Sequence, residues 1–160
     1  MAEPARKTGT PLYEQDFAAW ASDQARRLSA HRADKLDWDN LAEEIDSLSR
    51  RDRTEIRNRL IILLTHLLKW EHQPDRRGHS WQSTIGEQRI HIEGILDQSP
   101  SLASFPGEVF ARAFGRARRE AARQAGLPLS GLPETPPYTV AQTLDPDFMP
   151  GRPWSPEDLS

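Results

Sequence analysis

Apolar residues along this chain recur at helical intervals, and short polar runs rich in proline and glycine separate the patterns. The longest pattern runs from Asp37 to Gln73 without a single Pro or Gly. It places Leu41, Ile45, Leu48, Ile56, Leu60, Leu63, Leu67 and Trp70 on one repeating stripe. Spacings of three and four align side chains on one helix face, so this segment predicts a long amphipathic helix and an all-α fold. Asp37 is its expected N-cap. The first turns carry Asp39, Glu43, Glu44 and Asp46, and Arg50, Arg51, Arg53, Arg57 and Arg59 follow. Acids before bases suit the helix dipole and i,i+4 pairing. Leu60 to Leu68 is apolar nearly all round and therefore needs cover on more than one side.

Three further helices are expected. Thr10 and Pro11 supply a capping hydroxyl and a first-turn proline. Tyr13, Phe17, Trp20, Gln24, Leu28 and His31 then form the buried stripe of a helix ending near Ala30 to Arg32. After a loop at Pro74 to Gly78, Ser80 is the expected cap of a helix carrying Trp81, Ile85, Gln88, Ile92 and Ile95. Gly94 in its interior costs about 1 kcal/mol against Ala, a cost that close helix approach would explain. Ser104-Phe-Pro-Gly marks the start of the last helix, whose inner face is Val109, Phe110, Ala113, Phe114, Ala117 and Ala121, with Gly126 as its stop. Beyond it, residues 127–160 hold eight of the chain's 13 prolines. Thr139 to Gln142 reads as a capping box over a single helical turn. Tyr138, Leu144, Phe148 and Trp154 give this segment anchors, so it is expected to lie as a strap on the bundle.

The expected architecture is an antiparallel four-helix bundle. Residues 1–10 form a flexible lead-in, 11–126 the helical body and 127–160 the proline-rich strap. At 160 residues the chain is large enough to bury roughly two thirds of its unfolded surface. The formal net charge of −3 argues against a dedicated nucleic-acid binder. The absence of cysteine excludes disulfides, thiolate chemistry and zinc sites built on Cys. The N-terminal residues have no apolar core of a signal peptide, and no segment reaches the ~20 apolar residues that span a bilayer. A soluble cytoplasmic protein without membrane partners is expected.

Several motifs together carry a family resemblance. They are Tyr13-Glu-Gln-Asp-Phe17 with Trp20, Asp37-Trp-Asp-Asn-Leu-Ala-Glu-Glu-Ile45, His66-Leu-Leu-Lys-Trp70 with Pro74, Ser80-Trp81 with Gln88-Arg89, Ser99-Pro-Ser-Leu102, Gly126-Leu-Pro128, and Pro137-Tyr138 with Leu144-Asp-Pro-Asp-Phe148. In order and spacing these resemble a bacterial family catalogued as domain of unknown function twenty-nine, over roughly residues 12 to 150. The resemblance implies an all-helical, bundle-like fold. It implies no activity and no catalytic residues.

Four constellations carry candidate chemistry. Glu43, Glu44, His66, Glu87 and His91 are metal-ligating types, but Glu44 and His66 lie ~33 Å apart on one helix and cannot share an ion. His66 is expected instead as a core histidine bonded to Glu87 or Gln88. His72, Asp75 and His79, with Glu71 nearby, flank Arg76 and Arg77, whose charge repels a cation, and read as a solvated turn. Arg112, Arg116, Arg119 and Arg123 share one helical face that could take a polyanion. The favoured expectation is that acids of the long helix or of the strap neutralise it. Gln88 in an apolar seam, with Glu44 flanking Leu41, Ile45 and Leu48, defines a polar pocket or, as the favoured expectation, helix register. Trp20, Trp38, Trp70 and Trp81 are expected in the core.

Two function classes remain. The first is a non-enzymatic helical interaction protein, self-associating or binding another protein, with no cofactor or metal. An exposed apolar patch on the first or second helix would support it. The second is an enzyme or small-ligand binder using a pocket among Glu44, His66, Trp81, Glu87, Gln88 and Arg89. Nucleic-acid binding through the arginine face is the weakest reading.

Overall fold

The structure is a computed structural model and describes residues 11–159. The expected lead-in at 1–10, with the Thr10 cap, lies outside the described residues. Among those residues the chain forms six α-helices: α1 (Pro11–Gln15), α2 (Phe17–Ser29), α3 (Trp38–His72), α4 (His79–Gln98), α5 (Phe105–Ala125) and α6 (Val140–Leu144). No strand occurs among them, so the fold is all-α with one long helix. No helix among the described residues is long and apolar enough to cross a membrane. The chain divides into two compact units, Met1–Arg51 and Asp52–Ser160, and the boundary falls inside α3.

In the N-terminal unit the expected first helix is two. Asp16 leaves helical geometry (φ −149°) and its side chain accepts from the Ala19 N–H at 2.9 Å, so it caps α2. Trp20 and Gln24 are buried. The Trp20 Nε1–H donates to Asp37 Oδ2 (3.1 Å), Asn40 Nδ2 donates to the same oxygen (2.9 Å), and the Asp37 N–H donates to Gln24 Oε1 (2.8 Å). Asp37 does start the long helix, because its carbonyl accepts from the Leu41 N–H.

This polar knot turns positions 37 and 40 inward. At 3.6 residues per turn it swings Trp38 outward, and Trp38 is 61% exposed rather than core. The inward arc of α3 continues with Glu44, which accepts from the Tyr13 hydroxyl at 2.6 Å, and with half-buried Ser47. The bond to Glu44 is the chief cause that raises the Tyr13 phenol above its ordinary pKa. Ile45 and Leu48, expected in the core, are therefore exposed at 68% and 55%. Phe17 and Leu28 of the expected first stripe are about half exposed, and His31 is exposed just beyond α2 with φ +55°.

The C-terminal unit holds the main core. Leu60, Leu63, Leu64, Leu67, Leu68 and Trp70 of α3 are fully buried, and Ile85 and Ile92 of α4 and Phe110, Phe114, Ala117 and Ala121 of α5 are buried with them. α5 starts after Ser104 and ends at Gly126, whose φ of +65° is the left-handed stop expected of it. α4 is capped by Gly78 rather than Ser80, which lies one residue inside the helix. Gly94 is not a close-approach position, since an added Cβ would meet nothing within 4 Å. Replacing Gly94 by Ala is therefore expected to stabilise the protein by about 0.5–1 kcal/mol, read as an upward shift of the urea midpoint.

The segment after α5 lies against this core. Leu132 and Tyr138 are core members, and Leu144, Phe148, Met149 and Trp154 pack on it. Thr139 and Gln142 form the expected capping box at α6. Three arginines hold this segment through its backbone carbonyls. Buried Arg89 donates to the carbonyls of Thr143 (2.9 Å), Pro146 (3.4 Å) and Phe148 (2.7 Å). Arg118 donates to those of Leu129 and Leu132. Arg77 donates to those of Trp70 and Arg152 (2.8 and 3.0 Å) and lies over the Trp70 ring at 5.0 Å. Arg77 is thus 2% exposed, which corrects its place in a solvated turn. Gly151 makes room for it: φ is +83°, and a Cβ there would stand 3.1 Å from Arg77 Nη2.

Candidate functional site

The residues expected to form a polar pocket each have their own partner. Glu44, in the N-terminal unit, is held by Tyr13. In the C-terminal unit Gln88 is buried, and its Oε1 accepts from Arg59 Nη1 at 3.2 Å. Glu87 is exposed and lies 3.8 Å from His91, one turn along α4. The expected bond from His66 to Glu87 or Gln88 does not form. The His66 Nδ1 lies 2.8 Å from the Ile62 carbonyl, which can only accept, so Nδ1 carries the proton and Nε2 presents its lone pair. Burial is the main cause lowering the His66 pKa, and Lys69 adds to it. Among the described residues no three His, Asp or Glu side chains stand together as a metal could require. Arg89 is committed to the strap carbonyls, and Trp81 is half-buried under the Lys69 ammonium at 4.5 Å.

What the fold does assemble is a groove of about 870 Å³ between α3 and α5. Arg57, Ile61, Ile62 and His66 line one wall, and Arg112, Arg116, Arg119 and Glu120 the other. The two walls meet over Thr65 and Ala113, with Asn58 and Gln124 completing the lining. Three members of the arginine face therefore converge on a fourth base, not on the acids expected to neutralise them. Among the described residues, Arg57, Arg112, Arg116 and Arg119 make no ion pair within 4 Å. Arg123, the fourth member of the face, is not in the lining and is paired with Glu120. Hydrogen bonds from Arg123 and Gln124 hold the Glu120 carboxyl down at about 2, so it remains an anion at one part of the groove.

The second feature lies in the N-terminal unit. Trp38, Leu41, Ile45 and Leu48 follow spacings of 3, 4 and 3, the a and d positions of two heptads. Leu41 is half-buried, and the other three expose 61%, 68% and 55% of their surface. Scattered exposed apolar residues are normal, but three large ones in register on one helix are not.

Arg57 as a groove wall and Arg59 as the partner of Gln88 were not among the sequence expectations. The available signal was register: Arg57, Ile61 and Thr65 follow i, i+4, i+8, so Arg57 shares a face with the groove residues of α3.

The family described as Domain of unknown function DUF29 matches residues 12–149. No curated protein and no solved structure matches the chain.

Proposed function

The chain belongs to the DUF29 family, and from that premise we propose that it is a non-enzymatic interaction protein whose N-terminal unit pairs with a second copy of the same chain. The observation that carries this reading is the exposed seam of Trp38, Ile45 and Leu48. Burying two large aliphatic side chains and an indole on each copy removes a substantial apolar area from water. Ala42 and Ser49, on the outer flank of the seam, are small and permit the close approach of a second α3. Such a contact is two-fold and self-complementary, and closes at the dimer.

A charge placed in the seam tests this reading. Ile45→Glu sets one carboxylate from each copy into the contact and is expected to weaken dimerisation by about 1–3 kcal/mol, roughly fivefold to 150-fold. The readout is the dimer dissociation constant from light scattering across a dilution series. A dissociation constant unchanged in Ile45→Glu would rule out pairing through this seam.

A further inference from the structure

We infer that the groove between α3 and α5 binds a small organic polyphosphate, a ligand of the nucleoside triphosphate class. The charge count points there. Arg57, Arg112, Arg116 and Arg119 supply four cations, and Glu120 one anion, leaving a net charge of about +3 in one cavity. A single carboxylate cannot balance this, whereas a linked chain of phosphates can. Guanidinium groups that lack carboxylate partners keep their planar donor forks available for bidentate phosphate contacts. Arg112 to Arg119 covers about 10 Å along α5 at 1.5 Å per residue, so the donors are distributed along the groove.

The α3 wall carries an apolar patch. Ile62 keeps 40% of its surface exposed in the groove beside Ile61, an arrangement that suits an organic moiety next to the phosphates. The volume of about 870 Å³ lies within the range of small-molecule sites. Glu120 argues against an extended nucleic-acid backbone running through the groove. It is fixed there by Arg123 and Gln124 and would repel a continuous row of phosphates. The net charge of the whole chain, −3, opposes a long polyanion in the same way.

The test is fluorescence anisotropy of ribose-labelled ATP with the full chain at low salt, with inorganic tripolyphosphate and a single-stranded RNA as competitors. Saturable one-to-one binding is expected. It weakens at least about tenfold in Arg112→Gln/Arg116→Gln and stays within about twofold in Arg76→Gln, an exposed arginine outside the lining. Tripolyphosphate displaces the probe less well than unlabelled ATP, and Ile62→Ser reduces ATP binding while leaving tripolyphosphate binding unchanged. All three variants change exposed residues, and far-UV circular dichroism checks their folding. No saturation by about 1 mM ATP would overturn the inference. So would an Arg76→Gln variant as impaired as the groove variant, which would mark general charge attraction. RNA bound more tightly than ATP and not displaced by it would also overturn it.

Discussion

Replacing Arg89 by Met is expected to cost about 4 kcal/mol of folding stability, a large share of what a domain this size possesses. Arg89 is 5% exposed and donates to three carbonyls, of Thr143, Pro146 and Phe148. Hydrogen bonds from a charged donor contribute more than neutral ones, and each buried carbonyl left without a partner bears its own desolvation cost. Methionine keeps most of the stem packing, so the loss measures the guanidinium and not a cavity. Arg89→Lys should lie between, because a compact ammonium cannot reproduce a planar fork aimed at three acceptors. Urea denaturation gives the magnitude. Limited proteolysis gives the location, with cleavage between residues 140 and 150 accelerated before the α3–α5 core opens. A loss under about 1 kcal/mol would mean that the strap is held by its apolar anchors alone.

Trp70→Ala is expected to cost a similar amount, about 4 kcal/mol, for a different reason. The Trp70 side chain is fully buried. It meets Trp154 edge to face with ring centroids 5.6 Å apart, and the Arg77 guanidinium lies over its ring. Truncation opens a large cavity and removes the surface on which Trp154 rests. The effect should separate from Trp70→Phe. The Trp70 indole N–H is buried with no hydrogen-bond partner among the described residues, so phenylalanine removes an unmet donor while filling much of the space. Equal losses for Ala and Phe, measured by chemical denaturation, would contradict this account of the pair. Loss of near-ultraviolet circular dichroism in the alanine variant would report Trp154 released from its packing.

The helices themselves were legible in the sequence, because period and punctuation are local. The long helix, the Ser104 start, the Gly126 stop and the Thr139 capping box all follow from residues within a few positions of each other. Burial was less legible. The stripe Leu41, Ile45, Leu48 has the same period as Leu60, Leu63, Leu67, yet the first is largely exposed and the second fully buried. Periodicity reports that a face is apolar and not what covers it. What decides is the polar set Asp37, Asn40 and Glu44, which packs against Trp20, Gln24 and Tyr13 and takes the inward arc for itself. Arg77 and Arg89 were equally opaque, since their partners are backbone carbonyls far along the chain and leave no pattern of acids to find.

For the candidate groove, the face of Arg112, Arg116 and Arg119 could be read from spacing alone. Its opposite wall could not, because the pairing of Arg57 and His66 with that face depends on the register of α3 against α5. The Gln88–Arg59 bond spans two helices in the same way and was invisible for the same reason.

The most direct measurement is sedimentation equilibrium of the wild-type chain and of Ile45→Glu/Leu48→Glu over a wide concentration range. Both changes lie at exposed positions, so the fold is expected to survive, and circular dichroism checks it. Wild type is predicted to show a mass rising to twice that of the chain, and the double variant to remain at the chain mass throughout. A wild-type chain that stays monomeric at every concentration, or a double variant that dimerises as tightly as wild type, would contradict self-association through this seam.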